Sequence, residues 1–238
     1  MRSLPPVARR QGGATLMEFV IVFPLAAVFV LGLVQVGFIY LAKLNLNHAT
    51  FMATRIGSVH NAKEGEIRTA LVRGLSPFYQ NSFESNDSTR LLEAAARAKL
   101  ADLNPLTRSN IEILNPSSAS FKDFGVKDPK TGVNYIPNDN LEWRTETLGA
   151  TSKQTLRDAN LLKVRVVYGY ELKVPLMAGF IRRVMCSGQI GPEGFGNVGL
   201  TESVHKLVDT PCLKYYLQGR IPIESVAIVE MQSRAESS

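Results

Sequence analysis

The chain has 238 residues, enough for one large domain or two small ones with a real core. Lys and Arg number 27 against 21 Asp and Glu, a formal net charge of +6. A mean hydropathy of +0.00 with 20% charged residues means that the apolar residues are concentrated somewhere, which excludes a uniformly water-soluble cytoplasmic protein.

The first thirteen residues carry Arg2, Arg9 and Arg10 and no acid; without them the charge falls from +6 to +3. The remaining Lys and Arg are scattered, with no run that would track a phosphate backbone, so nucleic acid is not an expected partner. From Phe19 to Ala42 no Asp, Glu, Lys or Arg occurs in 24 residues. At about 1.5 Å per residue that run crosses a bilayer core of roughly 30 Å. It exceeds the apolar region of about 7 to 15 residues of a secretory signal peptide. The basic leader keeps the N-terminus in the cytoplasm, and Lys43 and Arg55 beyond the run soften that asymmetry without reversing it. The expected organisation is a leader over 1–13, a transmembrane helix over 14–42 and a periplasmic head over 43–238.

The junction reads Arg9-Arg10-Gln11-Gly12-Gly13-Ala14-Thr15-Leu16-Met17-Glu18-Phe19, and the run continues to Pro24. A carboxylate inside a membrane helix costs up to about 2.5 to 3.5 kcal/mol at the centre and less near an end, so Glu18 needs a reason. The helix macrodipole supplies a modest one, roughly 0.3 to 1 kcal/mol, near a helix start. Pro24 has no amide hydrogen and is expected to loosen the helix near Val20.

This stretch resembles the N-terminus of type IV prepilins, and more closely that of the TadE-like proteins of the Tad (tight adherence, Flp pilus) system. The resemblance is strong from about Arg9 to Gly57, with a fainter likeness at Val174-Pro175-Leu176 and Arg220-Ile221-Pro222-Ile223. It implies cleavage after Gly13 by a prepilin peptidase, which makes Ala14 the mature N-terminus and Glu18 the fifth residue. Cleavage after Gly12 would put Met17 there instead. Glu18-Phe19 and Pro24 match the Glu-Phe-x-x-x-x-Pro opening of that family, in which the glutamate answers the α-amine of a neighbouring subunit. The long outer part, unlike the very short major pilins, implies a minor pilin or pseudopilin of a Tad-type (type IVb) pilus. The implied partners are other pilins and pseudopilins, the prepilin peptidase, the Tad inner-membrane assembly platform and the lipid bilayer. The implied location is the inner membrane, single-pass, with positions in the filament, at its tip or at its base all compatible. The alternative from another class is an uncleaved bitopic membrane protein whose periplasmic head binds a partner or ligand.

Beyond Ala42 the helical pattern continues. Leu44, His48, Phe51, Met52, Ile56 and Val59 recur at three- and four-residue steps, predicting an extension to about His60 whose apolar face lies on the head. His60-Asn61-Ala62-Lys63 reads as its exit. A second helix is predicted over Glu64 to Arg73, closed by Gly74 and Pro77. A third spans Thr89 to Leu103, with Leu92, Ala95, Ala96, Leu100 and Leu103 on its apolar face, Asp87 and Ser88 as candidate caps, and Asn104-Pro105 as the stop. From Asn115 to Lys153 the sequence predicts loops around one or two short strands, with Trp143 either core or an interface anchor. Leu162 to Val174 alternates as a half-buried strand in which Gly169 marks a bulge or bend. Ile221 to Met231 is a second strand, apolar on both faces and expected at a sheet centre or beneath the long helix, and Ile111 to Leu114 is a third. The fold class is α+β: a long N-terminal helix packed on a small antiparallel sheet.

Cys186 and Cys212 are the two cysteines. Outside the cytoplasm they predict one disulfide worth about 3 to 4 kcal/mol; two reduced thiols are the alternative. Gly194-Phe195-Gly196-Asn197-Val198-Gly199 spells GxGxxG, but it follows Gly191-Pro192 rather than a strand and reads as part of a surface loop, Gly188 to Gly199. His48, His60 and His205 lack acids at metal spacing, and GxSxG is absent. No catalytic residue, cofactor or metal is expected.

Overall fold

The computed structural model describes residues 14–81, 83–144, 146–174, 177, 179–180 and 214–237. Helix α1 runs unbroken from Ala14 to Val59, about 69 Å at ~1.5 Å per residue, and passes through Pro24 without interruption of the helix. It leaves the helix through Asn61 and Ala62, both in the left-handed region, with the Ala62 amide donating to the Gly57 carbonyl. That reversal is held from the far end of the chain. The Asn61 amide donates to Ser233 Oγ at 2.9 Å, its side-chain amide donates to the Arg234 carbonyl, and the Gln232 and Ser233 amides donate to the Ser58 carbonyl. Helix α2 (Glu64–Gly74) then returns antiparallel along α1, burying Ile67, Leu71 and Val72.

The predicted apolar face of α1 points the wrong way. The residues buried against the head are Ala42, Leu46, Ala49, Ala53 and, between them, Thr50 and Thr54, whereas Leu44, Phe51, Met52, Ile56 and Val59 are exposed. The cause is close approach. A Cβ on Gly57 would stand 2.5 Å from Ile67 Cγ1 and 3.1 Å from Leu162 Cδ2, and one on Gly74 would stand 2.8 Å from Ala49 Cβ. Apart from Leu46, the side chains that fit between α1 and its neighbours are small, so most of the large ones take the outer side. The buried threonines are satisfied locally, Thr50 Oγ1 donating to the Leu46 carbonyl and Thr54 Oγ1 to the Thr50 carbonyl, each at 2.8 Å.

Helix α3 (Asp87–Leu103) begins two residues before its predicted start. Its cap is Asn86, whose side chain accepts the Ser88 and Thr89 amides, rather than Asp87 or Ser88. Here too the buried residues are alanines, Ala94 and Ala98, while Leu92, Leu100 and Leu103 are exposed.

The main sheet pairs β1 (Asn110–Asn115), β4 (Leu161–Glu171) and β5 (Arg220–Glu230) antiparallel in the order β1-β4-β5. Strand β4 shows the predicted alternation, with Leu162, Val164, Val166, Tyr168 and Tyr170 buried toward α1 and α2. Gly169 makes no bulge: it pairs with Pro222 in register, and a Cβ there would stand 2.8 Å from the Tyr215 ring. The register shift lies in β1, between Ile113 and Asn115. Of its two expected placements strand β5 takes the second: it is at the edge of its sheet but lies beneath α1, and Val226 and Ile228, on the face turned away from the helix, are exposed.

Residues 115–153 hold the two short strands expected there and, beyond expectation, a helix. Helix α4 (Ser118–Phe124) is opened by a reciprocal Ser117/Ser120 capping box, and α5 (Leu156–Ala159) by one between Thr155 and Asp158. Strands β2 (Val126–Lys127), β3 (Asn134–Ile136) and β6 (Ala235–Glu236) make a second small antiparallel sheet at the membrane-distal end, beside the exit of α1. The fold is α+β, as its sequence predicts.

Candidate functional site

Ala14 opens α1, and Glu18 stands four residues, about 6 Å, further along the axis. The first turn of α1 contains no acid, so Glu18 sits past the region where the macrodipole acts strongly. Its side chain is exposed, flanked by Phe19, whose ring stacks on Phe23 at 5.2 Å between centroids. Glu18, Phe19 and Pro24 thus share two turns of a free-standing stem. Gly13, the other half of the expected processing junction, lies outside the described residues, as do Cys186, Cys212, His205 and the glycine-rich 188–199 segment.

The head takes hold of the stem at Gln35, eight positions before the boundary expected at 43. Gln35 is 2% exposed although its neighbours Val34 and Val36 are open, and its Oε1 accepts the Val174 amide at 2.9 Å. Val174 and Met177 are buried at the same place. The sequence contained a signal for this contact: Gln35 is the one amide in an otherwise apolar run.

Above Gln35 the outer side of α1 presents two adjacent apolar ridges. Val36, Tyr40, Leu44 and Phe51 form one, and Leu41, Met52, Ile56 and Val59 the other, interspersed with Asn45, Asn47, His48 and Arg55. Tyr40 is 64% exposed and Phe51 47%. These ridges extend the apolar surface of the membrane half upward between those polar residues. A helix apolar on both sides is ordinarily covered on both sides, and here the head covers only one.

The charged residues of the head serve its architecture. Arg165 bridges Glu224 at 2.7 Å and Glu112 at 3.5 Å across the outer face of the main sheet, and Arg165, with a lesser pull from Lys43, holds the Glu224 carboxyl below its ordinary range. Asp123 accepts the amides of Ser152 and Thr151, bonds that bring its carboxyl down to about 2. Burial, with Tyr79 adding to it, pushes the Tyr168 phenol far up; the two hydroxyls stand 3.2 Å apart. Among the described residues no group of three or more His, Cys, Asp or Glu could hold a metal ion. His48 and His60 are both exposed on α1 and the turn after it. Trp143 is 88% exposed, which removes the core alternative for that residue.

Comparison with known proteins places a family match on the stem. The model of the family described as TadE-like protein matches residues 13–55, which span α1 almost to its end and stop short of the rest of the head. No curated protein and no solved structure matches the chain. The match associates the stem with the Tad pilus system, and among the described residues one helix is long and apolar enough to cross a membrane, in support of a membrane anchor.

Proposed function

We propose that this TadE-like, membrane-anchored chain is a minor pilin or pseudopilin that takes part in assembling a Tad-type pilus, in a structural and not a catalytic role. The observation that carries the reading is the uncovered apolar side of α1, from Val36 to Val59, continuous with the membrane stem. Lipid covers the lower half. The upper half stands above a bilayer that a 46-residue helix exceeds about twofold, so its cover is protein. The stem helix of another pilin has the matching shape and apolarity, and side-by-side packing of such stems buries the ridges of each.

In this reading the N-terminus is cytoplasmic and the head periplasmic, anchored in the inner membrane. A prepilin peptidase cuts between Gly13 and Ala14, freeing an α-amine for the Glu18 carboxylate of a neighbour, and the Tad inner-membrane platform moves the subunit into the assembly. The uncleaved bitopic alternative uses the same anchor but leaves the outer ridges without a purpose. A disulfide between Cys186 and Cys212 belongs to the exported head, and non-reducing peptide mapping should recover the linked pair; alkylatable thiols at both positions would remove it.

The test is the mature mass from a membrane fraction. A chain beginning at Ala14, and an uncut precursor in Gly13→Leu, are the expected results. Wild-type protein retaining residues 1–13 in cells with an active prepilin peptidase would overturn the processing, and with it the pilin reading.

A further inference from the structure

A cavity of about 260 Å³ opens where the turn after α2, α3 and the lower ends of β4 and β5 meet, lined among others by Tyr79, Arg97, Tyr170, Glu171, Lys173 and Arg220. Its ionisable lining is three cations against one carboxylate. Lys173 reaches Glu171 at 3.4 Å, and Arg97 is held by Glu93. Arg220 stands opposite Glu171 in the β4–β5 ladder.

The height of this cavity above the membrane follows from Gln35. From Ala14 to Val34 there are 21 residues, about 31 Å of helix, which matches a hydrocarbon core of roughly 30 Å. Gln35, bonded to the Val174 amide, then marks the outer boundary of the hydrocarbon, and Lys173, the residue before Val174, stands at headgroup level. Exposed Tyr40, five residues beyond Gln35 on α1, is an aromatic of the kind usual at a membrane interface.

We propose that this cavity seats the phosphate headgroup of an anionic phospholipid from the leaflet on which the head stands. Guanidinium and ammonium groups with phenolic hydroxyls beside them are donors suited to a phosphate diester, and the neighbouring stem supplies lipid at the cavity mouth. The seat would fix the head's rotation on its stem, and with it the direction in which the outer ridges of α1 face. It rests on a membrane placement of α1 from Ala14 to Gln35, shorter than the span to Ala42 that the sequence predicts, and not on the chain entering a filament.

The test is lipid retention by the full chain, purified in detergent and measured by native mass spectrometry with phosphatidylglycerol or phosphatidylcholine added. Phosphatidylglycerol should be retained more strongly by on the order of tenfold, the scale of a few near-surface cations. K173Q/R220Q should remove the preference, and K173R/R220K should keep it. K127Q/K130Q, an equal charge loss at the membrane-distal end, should leave it unchanged. Equal retention of the two lipids would overturn the proposal, as would an equal loss in K127Q/K130Q, which would mean bulk charge only. Binding of inorganic phosphate to the lipid-free chain as tightly as phosphatidylglycerol would also overturn it, assigning the cavity to a free anion. None of these readouts depends on leader cleavage or pilus number.

Discussion

The side chain of Gln35 and the backbone amide of Val174, 139 positions apart, are joined by a buried hydrogen bond of 2.9 Å. It ties the membrane stem to the head at the point where α1 first becomes covered. Replacing Gln35 by Met keeps the volume and leaves the Val174 amide buried without its acceptor, at a cost of about 1 to 3 kcal/mol. The expected result is faster hydrogen exchange at Val174 in Gln35→Met, with the amides of β4 from Leu162 to Val166 unchanged. Unaltered exchange at Val174 would show that this bond does not hold the junction.

The two sides of α1 should separate stability from assembly. Leu46 is fully buried, so Leu46→Ala should destabilise the head by about 2 to 5 kcal/mol. Phe51 is on the outer ridge, and Phe51→Ser should shift stability by only about 0.5 kcal/mol while reducing capture of other pilins. Thermal melts of the two proteins beside pull-down of pilin partners check the pair. Undiminished partner capture by Phe51→Ser would count against the packing of stems along this side.

Gly57 is where α1, α2 and β4 come closest. A methyl group there meets Ile67 and Leu162, so Gly57→Ala should cost about 1 to 3 kcal/mol through forced displacement of well-packed side chains, even though alanine favours the helix by about 1 kcal/mol. Gly37→Ala, on the open part of the same helix with nothing within 4 Å, should show only the helical gain. Comparing the midpoints of thermal unfolding for the two variants tests the close approach directly.

Asp123 makes the 149–155 segment sensitive to acid. The Ser152 amide is the first cause of its lowered carboxyl, about 2 when folded against about 3.9 for a free aspartate. A depressed folded value contributes stability above the unfolded one, and that contribution disappears as pH falls from about 4 through about 2. Hydrogen exchange at Thr151 and Ser152 should therefore lose protection across that window in the wild type. Asp123→Asn, which cannot titrate, should show weaker protection and no such step.

Glu18 is a separate test of assembly. Glu18→Ala should leave membrane insertion intact and improve the apolar match of the stem, while lowering co-assembly with other pilins. A loss of macrodipole interaction alone, at most about 0.3 to 1 kcal/mol, is too small to abolish assembly. Normal pilus number with stably expressed Glu18→Ala protein would show that the carboxylate plays no part in docking.

What the sequence determined by itself is everything that depends on local chain physics. The charge-free run from Phe19 to Ala42 dictates a membrane-length helix, Asn61 and Ala62 end it within a residue of the expected place, and the alternation from Leu162 to Tyr170 dictates a strand with one buried side. That Glu18, Phe19 and Pro24 lie on one helix was legible for the same reason; the roles proposed for them rest on their spacing along it. Periodicity finds a face but not the partner that the face meets. Tertiary structure alone decided that the alanines of α1 and α3, together with Leu46, go inward and most of the large apolar residues outward; on α1 the close approaches at Gly57 and Gly74 are part of the reason. It alone placed β5 at an edge, made Gly169 a space for the Tyr215 ring, and brought Val174 to Gln35. Each of these depends on which distant segment arrives at a surface, and that is determined by the packing of the whole chain, not by the order of residues around any one position.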